Sequence, residues 1–167
     1  MNRPTRDTVA KYLDYDPATG VLRWRVKIRV VNPGDVAGYI NKTAEGYAHR
    51  RVYLLGRYYP ASCLIWVLMT GEWPVAGIDH RNRDSLDDRW DNLRPATKAQ
   101  NSQNNGLRRK NSSGYKGVYL DKRYKHWRAY IKGKHIGIFA TAEEAALAYD
   151  AAAIKLFGEF ACLNFQR

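Results

Sequence analysis

The clearest alternation of apolar and polar side chains lies at residues 127–132. Trp127, Ala129 and Ile131 fall on one face of a predicted strand, and Arg128, Tyr130 and Lys132 fall on the other. Apolar runs at 115–120 and 135–140 predict a strand on either side of it. We therefore expect a small three-stranded antiparallel sheet with one apolar face and one face of cations and aromatic rings.

A helix is expected to cover the apolar face of this sheet. Thr141 followed by Glu144 has the spacing of a capping box, and an alanine-rich stretch continues to Phe157 before Gly158. Small side chains allow a helix to lie close to a sheet. The C-terminal third thus predicts a sheet packed on one helix.

The first hundred residues predict a more irregular mixture of helices and strands. A short helix at 7–13 is followed by a turn at 16–20, and strands are expected at 21–26, 36–40 and 51–55. Gly56 and Arg57 predict a hairpin turn, and the nearly all-apolar run 61–70 predicts a core helix that Gly71 ends. The fold class is α+β.

A polar stretch between Asn101 and Ser113 divides the chain. It contains glycine and a basic triplet and has almost nothing to bury. We place one domain at 1–105, a basic linker at 106–112 and a second domain at 113–167.

The charge of the chain indicates a polyanionic partner. Lys and Arg number 28 against 16 Asp and Glu among 167 residues, a formal net charge of +12. We expect double-stranded DNA rather than a membrane, because the apolar run 61–69 is far shorter than the roughly 20 residues that span a bilayer. The sequence predicts no signal peptide. Its two cysteines, Cys63 and Cys162, are far apart in sequence and are expected to be buried and reduced. We therefore expect a cytoplasmic location.

Four polar side chains around residues 79–101 form the candidate chemical site. Asp79 and His80 end a predicted strand, Asn92 follows a polar loop, and Asn101 lies on a predicted helix after Thr97. Carboxylate and amide oxygens suit Mg²⁺ or Mn²⁺, and a neutral histidine can accept a proton from water near pH 7. This combination is suited to phosphodiester hydrolysis.

These residues resemble the HNH endonuclease pattern, in the phage homing branch whose last histidine is replaced by asparagine. The resemblance implies a ββα-metal (His-Me finger) domain in which Asp79 and Asn101 hold one Mg²⁺ or Mn²⁺ ion and His80 is the general base. It implies that Asn92 braces the loop. The sequence departs from the family where it has Asp87-Asp88-Arg89 in place of the frequent Asn-Asn-Arg, and Ser62-Cys63 where a His-Arg pair is frequent.

The second domain resembles the APETALA2-type DNA-binding domain. The resemblance rests on Tyr115-Lys116-Gly117-Val118, Trp127-Arg128-Ala129-Tyr130-Ile131, Gly137-Ile138-Phe139, the helix and Leu163-Asn164-Phe165. It implies a sheet that lies in the major groove. The candidate DNA-contacting residues are Lys116, Tyr119, Arg123, Arg128, Tyr130, Lys132 and His135.

Further basic residues are candidates for phosphate contacts. Arg81 and Arg83 follow the Asp-His pair, and Arg108, Arg109 and Lys110 lie in the linker. For both groups a solvated charge is the alternative interpretation.

The sequence predicts a homing-type endonuclease, of a bacteriophage or mobile element, that is targeted by its second domain. One active site per chain predicts that a monomer nicks, whereas a double-strand break would need dimerisation or sequential action. We expect a monomer or weak dimer. Two alternatives stay open: a DNA-binding regulator with weak or no catalysis, and an RNA-binding structural protein.

Overall fold

The computed structural model describes residues 3–43, 47–107 and 111–165. The linker triplet Arg108, Arg109 and Lys110 lies outside the described residues, so its predicted DNA contact stays a prediction. The chain divides into two compact units, the first ending at Lys98 and the second beginning at Ala99. They are called the N-terminal and the C-terminal unit below, and each is described by itself.

The N-terminal unit combines two helices with small antiparallel sheets. Its elements are α1 (Arg6–Tyr12), β1 (Leu13–Asp16), β2 (Val21–Trp24), β3 (Tyr39–Lys42), β4 (Ala48–Leu54), β5 (Arg57–Pro60), α2 (Ala61–Thr70), β6 (Ile78–His80) and β7 (Leu93–Pro95), with a 3₁₀ turn at Trp90–Asn92. The strands pair as β1–β2, β3–β4–β5 and β6–β7. All these pairs are antiparallel.

The core of this unit forms around α2. Leu64, Ile65 and Val67 of this helix are fully buried, and Gly71 ends the helix in a left-handed conformation at φ 86°. The same apolar cluster takes side chains from α1, β1, β2, β4 and β7, among them Val9, Leu13, Leu22, Val52 and Leu93. Because β7 contributes Leu93 to this cluster, the β6–β7 hairpin is anchored to the core.

The C-terminal unit contains one sheet and one long helix. Its elements are α3 (Lys98–Asn104, whose first residue closes the N-terminal unit), β8 (Val118–Asp121), β9 (His126–Ile131), β10 (Lys134–Phe139) and α4 (Ala142–Phe157). The sheet order is β10–β9–β8. Val118 and Ala129 pack with Ala142, Ala145 and Ala146 of α4, and the capping box of Thr141 and Glu144 is present.

The structure confirms the mixed helix and strand composition with small antiparallel sheets, and differs from the sequence-based expectation in detail. β3 begins at Tyr39, three residues after the predicted start, because Val36 forms a bridge with Arg23 and the Ala37 N–H donates to the Leu22 carbonyl, so these residues pair with β2 instead. Cys63 is half-buried rather than buried, whereas Cys162 is buried, and neither forms a disulfide bond. The polar stretch predicted as linker composition is helical as far as Asn104.

No helix in the described part of the chain is long and apolar enough to cross a membrane.

Candidate nuclease centre and nucleic-acid interface

The β6–β7 hairpin brings Asp79 opposite Arg94. Arg94 donates from Nε and Nη2 to Asp79 Oδ2, at 2.8 and 2.7 Å, and both side chains are 4% exposed. A buried carboxylate is stable only when its charge is compensated, which this ion pair achieves. The pair also fixes the orientation of the Asp79 carboxylate.

His80, the next residue on β6, is held by a different carboxylate. Its Nε2 lies 3.0 Å from Asp88 Oδ1, and the side chain of Asp88 is 4% exposed while that of His80 is 13% exposed. The imidazole is thus largely enclosed. Asp88 was noted from the sequence only as a departure from the family pattern, and nothing in the local sequence pairs it with His80.

Asn92 closes the loop between the two strands. Its Oδ1 accepts from the Asn82 N–H at 2.9 Å, and its Nδ2 donates to Asn82 Oδ1 at 3.0 Å and to the Asp87 carbonyl at 2.7 Å. The side chain therefore ties both ends of the 82–87 segment together.

The same loop is stabilised by an ion pair on its surface. Arg89 donates to both carboxylate oxygens of Asp87, at 2.8 and 2.7 Å, and Asn82 Nδ2 donates to Asp87 Oδ2 at 2.7 Å. The hydrogen bond from Arg89 is the main cause that lowers the pKa of Asp87 to about 2.

The β1–β2 hairpin packs on the segment that carries Asp88. The Tyr15 hydroxyl donates to the Asp88 carbonyl at 2.7 Å, and the Trp90 N–H donates to the Pro17 carbonyl at 3.1 Å. A Cβ on Gly20 would lie 2.7 Å from the Asp88 carbonyl carbon. Burial, and after it the charge of Asp88, raises the pKa of Tyr15 above its ordinary value, which keeps its hydroxyl a donor.

Three other predicted residues lie in the loop after β6 or on α3. Arg81 and Arg83 are exposed in the loop after β6, and Arg83 has a φ of 68°. Asn101 is exposed on α3, which groups with the C-terminal unit apart from its first residue. The N-terminal unit thus brings together Asp79, His80 and Asn92.

The donor chemistry of the predicted metal ligands fits a hard cation. Among residues 3–43, 47–107 and 111–165, no three His, Cys, Asp or Glu side chains are grouped to hold a metal ion. Mg²⁺ commonly keeps several waters and takes only one or two protein oxygens. A carboxylate oxygen and an amide oxygen are donors of that kind.

The outer face of the C-terminal sheet carries a row of rings. Tyr119 on β8 and Tyr130 on β9 have ring centroids 5.9 Å apart, and Tyr130 lies 5.2 Å from His135 on β10. Tyr119 is 58% exposed. This row crosses all three strands and presents flat apolar surface with polar tips, as aromatic side chains at nucleic-acid interfaces do.

Cations lie on β9 and in the turn between β8 and β9. Arg128 Nη2 is 2.6 Å from Asp121 Oδ2, and its Nε lies 3.3 Å from His126 Nε2. A hydrogen bond with Tyr130, and then the charge of Asp121, raises the pKa of Arg128. Arg123 lies over the ring of Tyr124 at 5.2 Å. The Asp121 carboxylate compensates part of the positive charge that these residues present.

Two of the predicted DNA-contacting lysines point to other partners. Lys116 Nζ donates to the carbonyls of Gln103 and Asn105, at 2.7 and 2.6 Å, and so caps the C-terminal end of α3. Lys132 Nζ lies 5.2 Å from the ring centroid of Phe157 on α4. The structure therefore groups Tyr119, Arg128, Tyr130 and His135, with Arg123 nearby, and it directs Lys116 and Lys132 elsewhere.

The sequence analysis missed a second aromatic surface, on the N-terminal unit. Tyr39, Tyr53 and Tyr58 are each about half exposed on the β3–β4–β5 sheet, with ring centroids 6.0 Å (Tyr39–Tyr58) and 4.8 Å (Tyr53–Tyr58) apart. Arg51 lies over the Tyr58 ring at 5.2 Å. The signal was the alternation within β4, where Arg51 and Tyr53 face opposite to Val52 and Leu54.

Comparisons with known proteins match the two halves of the chain separately. An HNH endonuclease family model matches residues 59–103, and an AP2 domain model matches residues 113–159. An AP2-like ethylene-responsive transcription factor of Arabidopsis thaliana is 44% identical over 72 residues, which cover 36% of this chain and 14% of that protein. No solved structure matches the chain.

The resemblance to both families is therefore confirmed. The first match supports DNA endonuclease activity and the second supports DNA binding. The β1–β2 hairpin and the tyrosine surface precede the segment that matches the nuclease family.

Proposed function

We propose that this protein is a metal-dependent, homing-type DNA endonuclease that its C-terminal unit directs to double-stranded DNA. The observation that carries the proposal is the β6–β7 hairpin, in which Asp79 and His80 occupy one short strand beside a loop that Asn92 ties together. The order β6, β7, α3 along the chain supports the proposed ββα-metal motif.

Asp79 and Asn101 are the proposed ligands of one Mg²⁺ or Mn²⁺ ion. When bound, such an ion supplies positive charge that stabilises the phosphate and the departing oxygen. Arg94 keeps the Asp79 carboxylate in one orientation, as partners of ligating carboxylates do.

His80 is the proposed general base. A water in line with the scissile phosphodiester bond gives its proton to the imidazole while its oxygen attacks phosphorus, and the bond from phosphorus to O3′ breaks as O3′ takes a proton from solvent. The products are a 5′-phosphate and a 3′-hydroxyl. One such centre per chain cuts one strand, so the expected product of a monomer is a nick, and a double-strand break needs two chains or two successive cuts.

The row of Tyr119, Tyr130 and His135 is the proposed reading surface for duplex DNA. Arg128 and Arg123 supply charge near it, and the linker triplet adds contacts to phosphates. The tyrosine surface around Tyr58 offers the N-terminal unit aromatic and cationic contacts of its own. A protein with this function works inside a cell, and we propose a bacteriophage or mobile-element context.

A supercoiled-plasmid assay tests the proposal. Wild type is compared with His80→Ala in Mg²⁺, Mn²⁺ and EDTA, using plasmids that carry genomic inserts as candidate targets. We expect metal-dependent open circles that the variant does not form, with DNA binding changed by no more than a few-fold. Cleavage that survives both EDTA and His80→Ala would exclude the mechanism.

One observation favours a DNA-binding regulator as a second candidate. Asp79 is only 3% exposed and its Oδ2 is engaged by Arg94, an arrangement that also serves a purely structural carboxylate. Wild-type protein that binds a defined DNA target tightly and leaves it uncut in every metal tested would establish this alternative.

A further inference from the structure

The most informative feature outside the family pattern is the carboxylate that faces His80. Asp88 stands where the resembled family frequently has asparagine, and its Oδ1 lies 3.0 Å from His80 Nε2. We propose that Asp88 is a positioning residue that holds the His80 ring with Nδ1 as the proton-accepting nitrogen. This inference rests on the proposed nuclease function.

The direction of the hydrogen bond follows from the chemistry of the two groups. A carboxylate has no proton to donate, so in this contact Nε2–H of His80 is the donor and Asp88 Oδ1 the acceptor. In a neutral imidazole, the nitrogen that carries no proton is then Nδ1. Asp88 thereby selects both the ring orientation and the nitrogen that can accept a proton.

The surroundings of Asp88 keep it in place without help from His80. Its carbonyl accepts from the Tyr15 hydroxyl, and the backbone at Gly20 leaves no room for Asp88 to withdraw toward the β1–β2 hairpin. Two residues after Asp88, the Trp90 N–H donates a hydrogen bond to the Pro17 carbonyl. β1, the turn between β1 and β2, and the 3₁₀ turn therefore fix the backbone around the residue that contacts His80 of β6.

A neighbouring carboxylate provides a matched control. Asp91 lies three residues further along the chain and is exposed, whereas Asp88 is buried. Removal of either side chain changes the net charge of the unit equally. An effect found for Asp88 and not for Asp91 thus reports the contact with His80 rather than local charge.

The first test is nuclear magnetic resonance of the histidine side chains in ¹⁵N-labelled full-length protein, with His80 assigned by comparison with His80→Gln. At about pH 8.5, where imidazole is ordinarily neutral, wild type should show a protonated Nε2 whose N–H signal survives exchange with water, and an unprotonated Nδ1. Asp88→Ala should lose that N–H signal, while Asp91→Ala keeps it.

The second test is steady-state nicking kinetics of the same proteins. Loss of an orienting partner commonly costs on the order of 10–100-fold, so Asp88→Ala should lower kcat by about that factor with KM for DNA within about twofold. Tyr15→Phe, which removes only the hydroxyl that holds the Asp88 carbonyl, should lower kcat less. A thermal melt of each variant identifies any that fails to fold.

The outcomes separate the two proposals. An unprotonated Nε2 in wild type, or a Nε2–H signal unchanged in Asp88→Ala, overturns the positioning role whatever the activity. A fall in kcat that Asp91→Ala matches also overturns it. If wild type does not cleave, the proposed function fails, and the resonance experiment still decides whether Asp88 orients His80.

Discussion

Arg94 donates two hydrogen bonds to a single oxygen of Asp79, and both side chains are buried. The pair lies at the centre of the β6–β7 hairpin, where the two residues are direct cross-strand partners. Removing one member leaves the other charge in a poorly solvated site, which is far more costly than removing both.

Arg94→Met is therefore expected to lower the free energy of unfolding by about 3–5 kcal/mol. The double variant Asp79→Asn/Arg94→Met should recover much of that loss, because neither charge then stays unpaired. Urea unfolding of wild type, both single variants and the double variant gives the coupling energy directly.

The exposed Arg25–Asp14 pair is the control for this cycle. Its side chains are 54% and 60% exposed and its N···O distance is 2.6 Å. Arg25→Met should cost less than about 1 kcal/mol, because solvent screens an exposed pair. If Arg94→Met and Arg25→Met lower the free energy of unfolding equally, burial is not the reason for the cost at Arg94.

Gly20→Ala is expected to lower stability and nicking, although Gly20 is far from the proposed centre in sequence. A Cβ at Gly20 would lie 2.5 Å from the Arg89 nitrogen, and the residue has a φ of +75°. We expect a loss of about 2–4 kcal/mol in the free energy of unfolding, from left-handed strain and overpacking together, and reduced nicking.

Gly34→Ala separates these two causes. Gly34 has a φ of +90° with nothing within 4 Å of an added Cβ, so this variant carries the backbone strain without the clash. It should lose only about 1–2 kcal/mol and keep wild-type nicking. If Gly34→Ala abolishes nicking as Gly20→Ala does, contact with the Asp88–Arg89 backbone is not the reason.

Asp121→Ala is expected to strengthen binding to DNA of any sequence. The substitution removes the carboxylate 2.6 Å from Arg128 and leaves that cation available to phosphate. One added phosphate contact should steepen the slope of log K against log salt by about 0.9. Fluorescence anisotropy with a random duplex at several salt concentrations measures this slope.

Asp14→Ala is the matched control for that experiment, since it also removes an aspartate from a 2.6 Å pair with arginine, here on β1. Its salt slope should stay at the wild-type value. An unchanged slope in Asp121→Ala would mean that Arg128 does not contact DNA.

The contribution of Asp87 to stability should disappear in acid. Its pKa is lowered to about 2 in the folded protein, chiefly by the hydrogen bond from Arg89. A lowered pKa means that the folded state binds fewer protons than the unfolded state, so stability falls as pH falls through that window. The difference in unfolding free energy between wild type and Asp87→Asn should be constant above about pH 4 and shrink towards about pH 2.

Arg89→Gln tests the cause of this pH dependence. Without the guanidinium the pKa of Asp87 returns towards its ordinary value, and the acid-dependent difference should become smaller. A difference that persists undiminished in the Arg89→Gln background would assign the effect to another group.

The parts of the fold that local sequence determines were predictable. α2 and α4 have the predicted bounds, because proline, glycine and the capping box of Thr141 and Glu144 act within a few residues. The alternation in β9 also predicted which face is buried, since Ala129 and Ile131 are in the core.

The parts of the site that depend on distant residues were not predictable. Asp88 contacts His80 from eight positions further along the chain, and Tyr15 reaches the same segment from 73 positions away. Lys116 is a basic residue in a basic domain, and only the folded chain shows that its ammonium binds the carbonyls of Gln103 and Asn105. Composition shows that a positive charge is present, but it does not show which group accepts the hydrogen bonds of that side chain.

The capping of α3 by Lys116 has a consequence for exchanging modules between such proteins. Apart from Lys98, α3 and the AP2-matching segment form one compact unit, so a recombination breakpoint inside the polar linker would separate the helix end from the ammonium that satisfies its carbonyls. A breakpoint just before Lys98 would leave that hydrogen bonding intact. A chimera designed to give another nuclease this DNA-binding unit should accordingly take α3 with it, together with Asn101.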